Sequence, residues 1–108
     1  MGVKGDTSTG ASAETARVLL EKLEALGAVS SKKMFGGYGI FLGGKMFAMV
    51  DSKGRVLLKA TEDTRAFFER QGCERHDRMP YYLVPQEILL EEALLLDWAG
   101  KAVKALGI

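Results

Sequence analysis

The chain has one cysteine, one histidine, two prolines and no asparagine among its 108 residues. A single cysteine, Cys73, excludes an internal disulfide and suits a reducing compartment. Cys73 and His76 have the C-x-x-H spacing of a metal-binding pair, but no other cysteine or histidine exists to complete a four-ligand structural zinc site. The same scarcity leaves a Cys73–His76 nucleophile pair without an identifiable orienting group. No apolar stretch approaches the roughly 18 residues that span a bilayer. Residues 1–11, MGVKGDTSTGA, lack the apolar run of a signal peptide. The expectation is a cytoplasmic protein without metal or cofactor.

What is present describes one ordinary globular domain. Hydrophobic residues make up 47% and charged residues 27% of the chain, within the range of proteins that bury a core of their own. Residues 1–11 read as a flexible tail and residues 12–108 as a single domain. The charge is unevenly spread. Residues 32–59 carry Lys32, Lys33, Lys45, Lys53, Arg55 and Lys59 against Asp51 alone. Such a segment can attract nucleic acid or an acidic partner. It can equally be a set of strand lysines that block edge-to-edge aggregation. A sequence pI near 7.8 favours the second reading, because nucleic-acid-binding domains are usually more basic, above about 9.

Along the chain, Ser12 is placed to cap a helix with apolar positions Ala16, Leu19, Leu20, Leu23 and Leu26, stopped by Gly27. After a linker, the glycine-punctuated segment Lys33–Ala48 reads as a β-hairpin turning at Gly43-Gly44, where glycine takes positive φ without strain. A second reversal at Asp51–Gly54 leads to a third strand. Thr61 caps a second helix with expected buried stripe Thr64, Phe67, Phe68 and Gln71, ended by Gly72. Two strands follow, around Cys73–Arg75 and over Met79–Val84. A last helical run covers Ile88–Leu106, apolar at Leu94, Leu95, Trp98, Ala102, Val103 and Leu106, with a break near Glu91-Glu92. The order α-β-β-β-α-β-β-α predicts a two-layer α+β fold, a five-stranded antiparallel sheet with helices on one face.

Pairing Leu42 with Lys45 and Val50 with Arg55 sorts the strand side chains. One face collects Tyr38, Ile40, Leu42, Phe47, Met49, Val56 and Leu58 and is the expected core face. The other collects Gly39, Phe41, Met46, Ala48, Val50 and Leu57, with Arg55 and Lys59 at its margin. That second face is too apolar for open solvent. The candidate interaction face is therefore Phe41, Met46, Val50, Leu57, Arg55 and Lys59, and the candidate basic patch is Lys32, Lys33 and Lys45.

Two nucleotide-binding patterns fail on inspection. Gly39–Lys45 matches the start of G-x-x-x-x-G-K-[ST], but Met46 stands where the magnesium-binding hydroxyl belongs and a strand follows where a helix must. Gly37-Tyr38-Gly39 opens a dinucleotide fingerprint with Leu42 in place of the third glycine. The adjacent carboxylates Glu62-Asp63 and Glu91-Glu92 lie at helix starts, where the dipole accounts for them. Tyr81 and Tyr82 point to opposite sides of a strand, so they do not form one stacking surface.

The segments KMFGGYG (Lys33–Gly39) and FLGGKMFA (Phe41–Ala48) resemble the N-terminal domain of TfoX/Sxy-type competence regulators. LLKA (Leu57–Ala60), MPYYLVP (Met79–Pro85) and Trp98 continue the resemblance in order. It implies the same α+β fold and a regulator without enzymatic activity. Full-length relatives act with the cyclic-AMP receptor protein on DNA-uptake genes, so a stand-alone domain of this kind implies a transcriptional co-regulator. Three functions follow as expectations. The first is a non-enzymatic protein-interaction domain, homodimeric or with a protein partner, acting through the second sheet face. The second is direct nucleic-acid binding through the basic segment 32–59. The third is a small-ligand site built from Tyr38, Cys73 and His76.

Overall fold

The computed structural model describes residues 7–34 and 36–108. Five strands, β1 (Ser30–Met34), β2 (Gly37–Leu42), β3 (Lys45–Val50), β4 (Val56–Lys59) and β5 (Tyr81–Leu83), form one antiparallel sheet in sequence order. The helices are α1 (Thr7–Lys22), α2 (Glu62–Arg70), α3 (Gln86–Leu89) and α4 (Glu92–Ala105), with a 3-10 turn at Glu24–Leu26. The fold is the α+β arrangement expected from the sequence.

Local chemistry sets most boundaries. Gly43 and Gly44 both take positive φ, 61° and 79°, and close the two-residue turn between β2 and β3. Thr61 caps α2 by accepting a hydrogen bond from the Asp63 amide, and the Thr64 hydroxyl accepts from the Thr61 amide in return. Gly72, at φ 74°, ends that segment. The expected break near Glu91-Glu92 separates α3 from α4.

Three elements differ from the sequence reading. Residues 30–34 form β1, although SSKKM has no apolar pattern and only Lys33-Met34 falls within the expected hairpin segment; pairing with β2 from Ser30↔Phe41 to Met34↔Gly37 supplies the strand. Around Cys73–Arg75 only Arg75 bridges to Tyr82, so β1 rather than this segment completes the five strands. Helix α1 spans Thr7–Lys22, and Ser12 is interior to it. The Ser12 hydroxyl is fully buried and donates to the Asp51 carbonyl at 2.6 Å, tying α1 to the β3–β4 turn. Of the tail expected at residues 1–11, residues 7–11 are helical and the rest lie outside the described residues.

Every helical residue in a buried apolar cluster belongs to the main core, packed on Ile40, Phe47, Ala48, Val50, Val56, Leu58 and Tyr82. The helices thus cover one face of the sheet. Among the described residues no helix is long and apolar enough to cross a membrane.

Candidate functional site

Among the described residues the opposite face of the sheet carries no helix, and its composition is set by a one-residue irregularity. Phe41 pairs with Met46 but Ile40 pairs with Ala48, so Phe47 is an extra residue in β3. Phe47 and Ala48 both turn to the helix-side core. From there the alternation of β3 is reversed relative to the unbroken register. Val50 pairs with Val56, not Arg55, and is completely buried in the helix-side core. Val50 therefore leaves the candidate interaction face, Ala48 leaves the second sheet face with it, and Met49 joins that face.

The register defines what remains. One row runs across all five strands: Lys32↔Gly39, Gly39↔Met49, Met49↔Leu57 and Leu57↔Leu83. Beside it lie Phe41 with Met46 and Lys59 with Tyr81. Met49, Leu57 and Tyr81 are buried as a second apolar cluster, under half-buried Met46, Met79 and Leu83. Burial pushes the Tyr81 phenol up to about 12, so it stays neutral. Over Gly39, a Cβ would meet the Met46 and Met34 sulfurs and a Phe41 ring carbon. The face is thus tiled by Met34, Phe41, Met46, Met49, Leu57, Met79, Tyr81 and Leu83. It holds every methionine of the chain except Met1. Unbranched thioethers repack at low cost, which is why such residues suit surfaces that adapt to a partner.

At the β4–β5 side the face deepens into an open groove of about 530 Å³, with Met49, Leu57, Met79 and Leu83 as its apolar lining. Its rim includes Asp51, Arg55, Glu74, His76, Asp77 and Arg78. The segment Glu74–Met79 is held against β5 by backbone bonds from Leu83 N to Glu74 O and from His76 N to Tyr81 O, each 2.8 Å. The His76 Nδ1 accepts from the backbone amides of Arg78 and Met79 at 3.1 and 3.3 Å, which fixes Met79 over the cluster.

Arg55 is committed locally. Asp51 Oδ1 accepts from the Lys53 and Arg55 amides at 3.0 and 2.8 Å, and Oδ2 accepts from Arg55 Nε at 2.7 Å. Partial burial pulls the Asp51 carboxyl upward, but these hydrogen bonds outweigh it and hold the group below its ordinary value. A carboxylate depressed in the folded state contributes stability above its unfolded value, and that contribution is lost as pH falls through the folded value. Asp51→Asn is therefore expected to cost about 1 kcal/mol at neutral pH. The gap to wild type should be smaller near about pH 3 than at neutral pH, because protonation of the carboxylate begins to remove the contribution there. Urea unfolding at the two pH values checks this; a gap that is independent of pH would contradict the assignment.

The candidate basic patch is divided. Lys32 shares the helix-free face with Gly39, whereas Lys33 alternates to the other side with Tyr38. Lys45 sits at the far hairpin end and donates to the Leu106 carbonyl at 3.0 Å. The Tyr38–Cys73–His76 trio is not assembled either. Tyr38 and Cys73 pack against the helix-side core, while His76 borders the groove on the opposite face. Burial raises the Cys73 thiol, which works against thiolate chemistry. Tyr81 and Tyr82 do point to opposite faces, and the Tyr82 hydroxyl donates to Glu69 Oε2 at 2.8 Å. The part of the face that sequence reasoning missed is Met34, Met49, Met79, Tyr81 and Leu83. Once the bulge is known, strand alternation alone recovers Met49 and the β5 residues.

A family model described as the TfoX N-terminal domain matches residues 21–106. The chain belongs to this family. The match begins within α1 and runs through the sheet, the groove and the whole of the last helix. No curated protein matches the chain. The TfoX N-terminal domain is associated with competence regulation, and the methionine-tiled face is the feature of this member that calls for a functional account.

Proposed function

We propose that this TfoX N-terminal domain is a non-enzymatic protein-interaction domain of a cytoplasmic transcriptional co-regulator, and that its helix-free sheet face docks onto protein. The observation that carries the reading is the continuous apolar tiling of a face that a two-layer fold leaves without a cover. The occupant is a second copy of the chain. Lys32 lies at the β1 margin of this face, and Glu74 and Asp77 border the groove at the β5 margin. A two-fold axis parallel to the strands lays β1 of one copy over β5 of the other. It then brings each Lys32 towards the partner copy's carboxylates while the methionines interleave.

Leu57 is too deeply buried, at 5% exposure, to accept a charge without unfolding the sheet. Half-buried Phe41 and Met46 are the better probes. Phe41→Asp with Met46→Asp is expected to convert a dimer to a folded monomer, read as halved mass by light scattering with an unchanged circular dichroism spectrum. A wild-type chain that is monomeric at all concentrations, or a double variant that still dimerises, would defeat the proposal.

A further inference from the structure

The two edges of the sheet are treated differently. The outer side of β5 is occupied, because the Glu74–His76 backbone bonds to it through Leu83 N and Tyr81 O. Strand β1 ends the sheet on the other side, and among the described residues nothing pairs with its outer edge. A strand paired on one side only presents its remaining N–H and C=O groups as a template for another strand. Here Ser30, Ser31, Lys32 and Lys33 are all exposed. The side chains on this edge are small hydroxyls and cations, and no carboxylate occurs in the sequence between Glu24 and Asp51. Among the described residues neither lysine has an ion-pair partner.

We infer that the β1 edge, Ser30–Met34, takes an extended acidic segment of another protein as a sixth strand. The lysines dictate the chemistry of that segment. Because Lys32 and Lys33 are consecutive, they project to opposite faces of the sheet. An added strand satisfies both only with consecutive carboxylates, one on each face, flanked by β-branched residues opposite Ser30 and Ser31. Main-chain hydrogen bonds supply the attachment and the two carboxylates the selectivity, as in other cases of strand addition. The lysines that keep β1 from pairing with another copy of itself thereby become its recognition elements, since like charges opposed across a strand pair repel. The main-chain attachment at the β1 edge does not depend on the methionine face, although Lys32 borders both.

The test is an amide NMR titration of the intact chain with the capped peptide Thr-Val-Glu-Glu-Val-Thr. Saturable shifts centred on Ser30–Met34 are expected, with slower hydrogen exchange of the outward β1 amides. The Lys-Lys version of the peptide should bind about tenfold more weakly or not at all, and Lys32→Glu with Lys33→Glu should reverse the preference. Methylating alternate peptide nitrogens on the hydrogen-bonding side should abolish the shifts, which separates strand addition from charge attraction without altering the protein. The inference is overturned by an absence of shifts, by equal binding of the methylated peptide, or by shifts centred on Met49, Leu57 and Leu83. It is also overturned if single-stranded DNA, and not the peptide, shifts the β1 amides.

Discussion

Gly37→Ala is expected to destabilise the domain by roughly 3 kcal/mol, the upper end of the cost of overpacking, whereas Gly39→Ala two residues on costs about 1 kcal/mol. A Cβ on Gly37 would lie 1.9 Å from the Val50 carbonyl oxygen and 3.0 Å from the carbonyl carbon of Asp51. Those atoms are backbone of the neighbouring strand. They are fixed by the Tyr38↔Val50 and Val50↔Val56 pairs and by the hydrogen bond from Asp51 N to Arg55 O. No side-chain rotation relieves the clash, so the β2–β3 pairing must open at its end. At Gly39 the new methyl would meet the Met46 sulfur at 2.9 Å, the Met34 sulfur at 3.1 Å and a Phe41 ring carbon at 3.1 Å. Two of these belong to flexible thioether chains that swing aside within a face that no helix covers among the described residues. Urea unfolding of the two variants checks the contrast, and equal costs would refute it. Gly39→Ala has a second consequence. It raises the centre of the methionine-tiled face in a folded protein, so it should weaken self-association even where stability hardly changes. The glycines of this hairpin therefore have three separate physical causes. Gly43-Gly44 supply backbone handedness, Gly37 makes room for a carbonyl, and Gly39 makes room for the cover of the docking face.

Where sequence reading succeeded, the signal was local. Gly43-Gly44, the Thr61 cap and Gly72 are stop and start chemistry contained within a few residues, and they were enough to order most elements. The failures share a different cause. Strand β3 reads Lys-Met-Phe-Ala-Met-Val, apolar at every position after its first, so it contains no alternation that could locate a bulge. The pairing of Leu42 with Lys45 is correct at the turn, yet the extra residue Phe47 exchanges the faces of Met49 and Val50 beyond it. One inserted residue thus moved a candidate docking residue into the core and a core residue onto the docking face. Strand β1 was hidden for the opposite reason. Its exposed sequence offers no apolar period, and it is a strand because β2 is beside it. Ser12 looked like a cap because serine caps helices. Its actual partner, the Asp51 carbonyl, lies 39 residues away and leaves no trace in the neighbouring sequence.

Phe68→Ala is expected to cost about 4 kcal/mol, in the range for a buried phenylalanine reduced to a methyl. Phe68 has no exposed surface and joins three elements. Its ring stacks on Tyr82 of β5 at 5.4 Å and an interplanar angle of 11°. It meets Phe67 of α2 and Trp98 of α4 edge-on, at 5.3 and 5.8 Å. Phe67 and Trp98 also touch each other edge-on at 5.1 Å. Truncating Phe68 removes apolar burial and leaves a void that the rigid neighbouring rings fill poorly. Phe68→Leu keeps most of the volume and should cost roughly half as much or less. The functional consequence follows from the geometry of β5. Tyr82 faces this cluster, while its neighbours Tyr81 and Leu83 face the methionine side and support the groove. Loosening the stack should therefore release β5 from behind and speed hydrogen exchange at Tyr81–Leu83 ahead of global unfolding. The Glu74–Met79 segment, bonded to the outer side of β5, should loosen with it. Exchange measured residue by residue in Phe68→Leu, which remains folded, distinguishes the outcomes. Acceleration confined to β5 and residues 74–79 supports a docking face held in place by the aromatic cluster. Uniform acceleration across the sheet would mean that Phe68 contributes only to global stability.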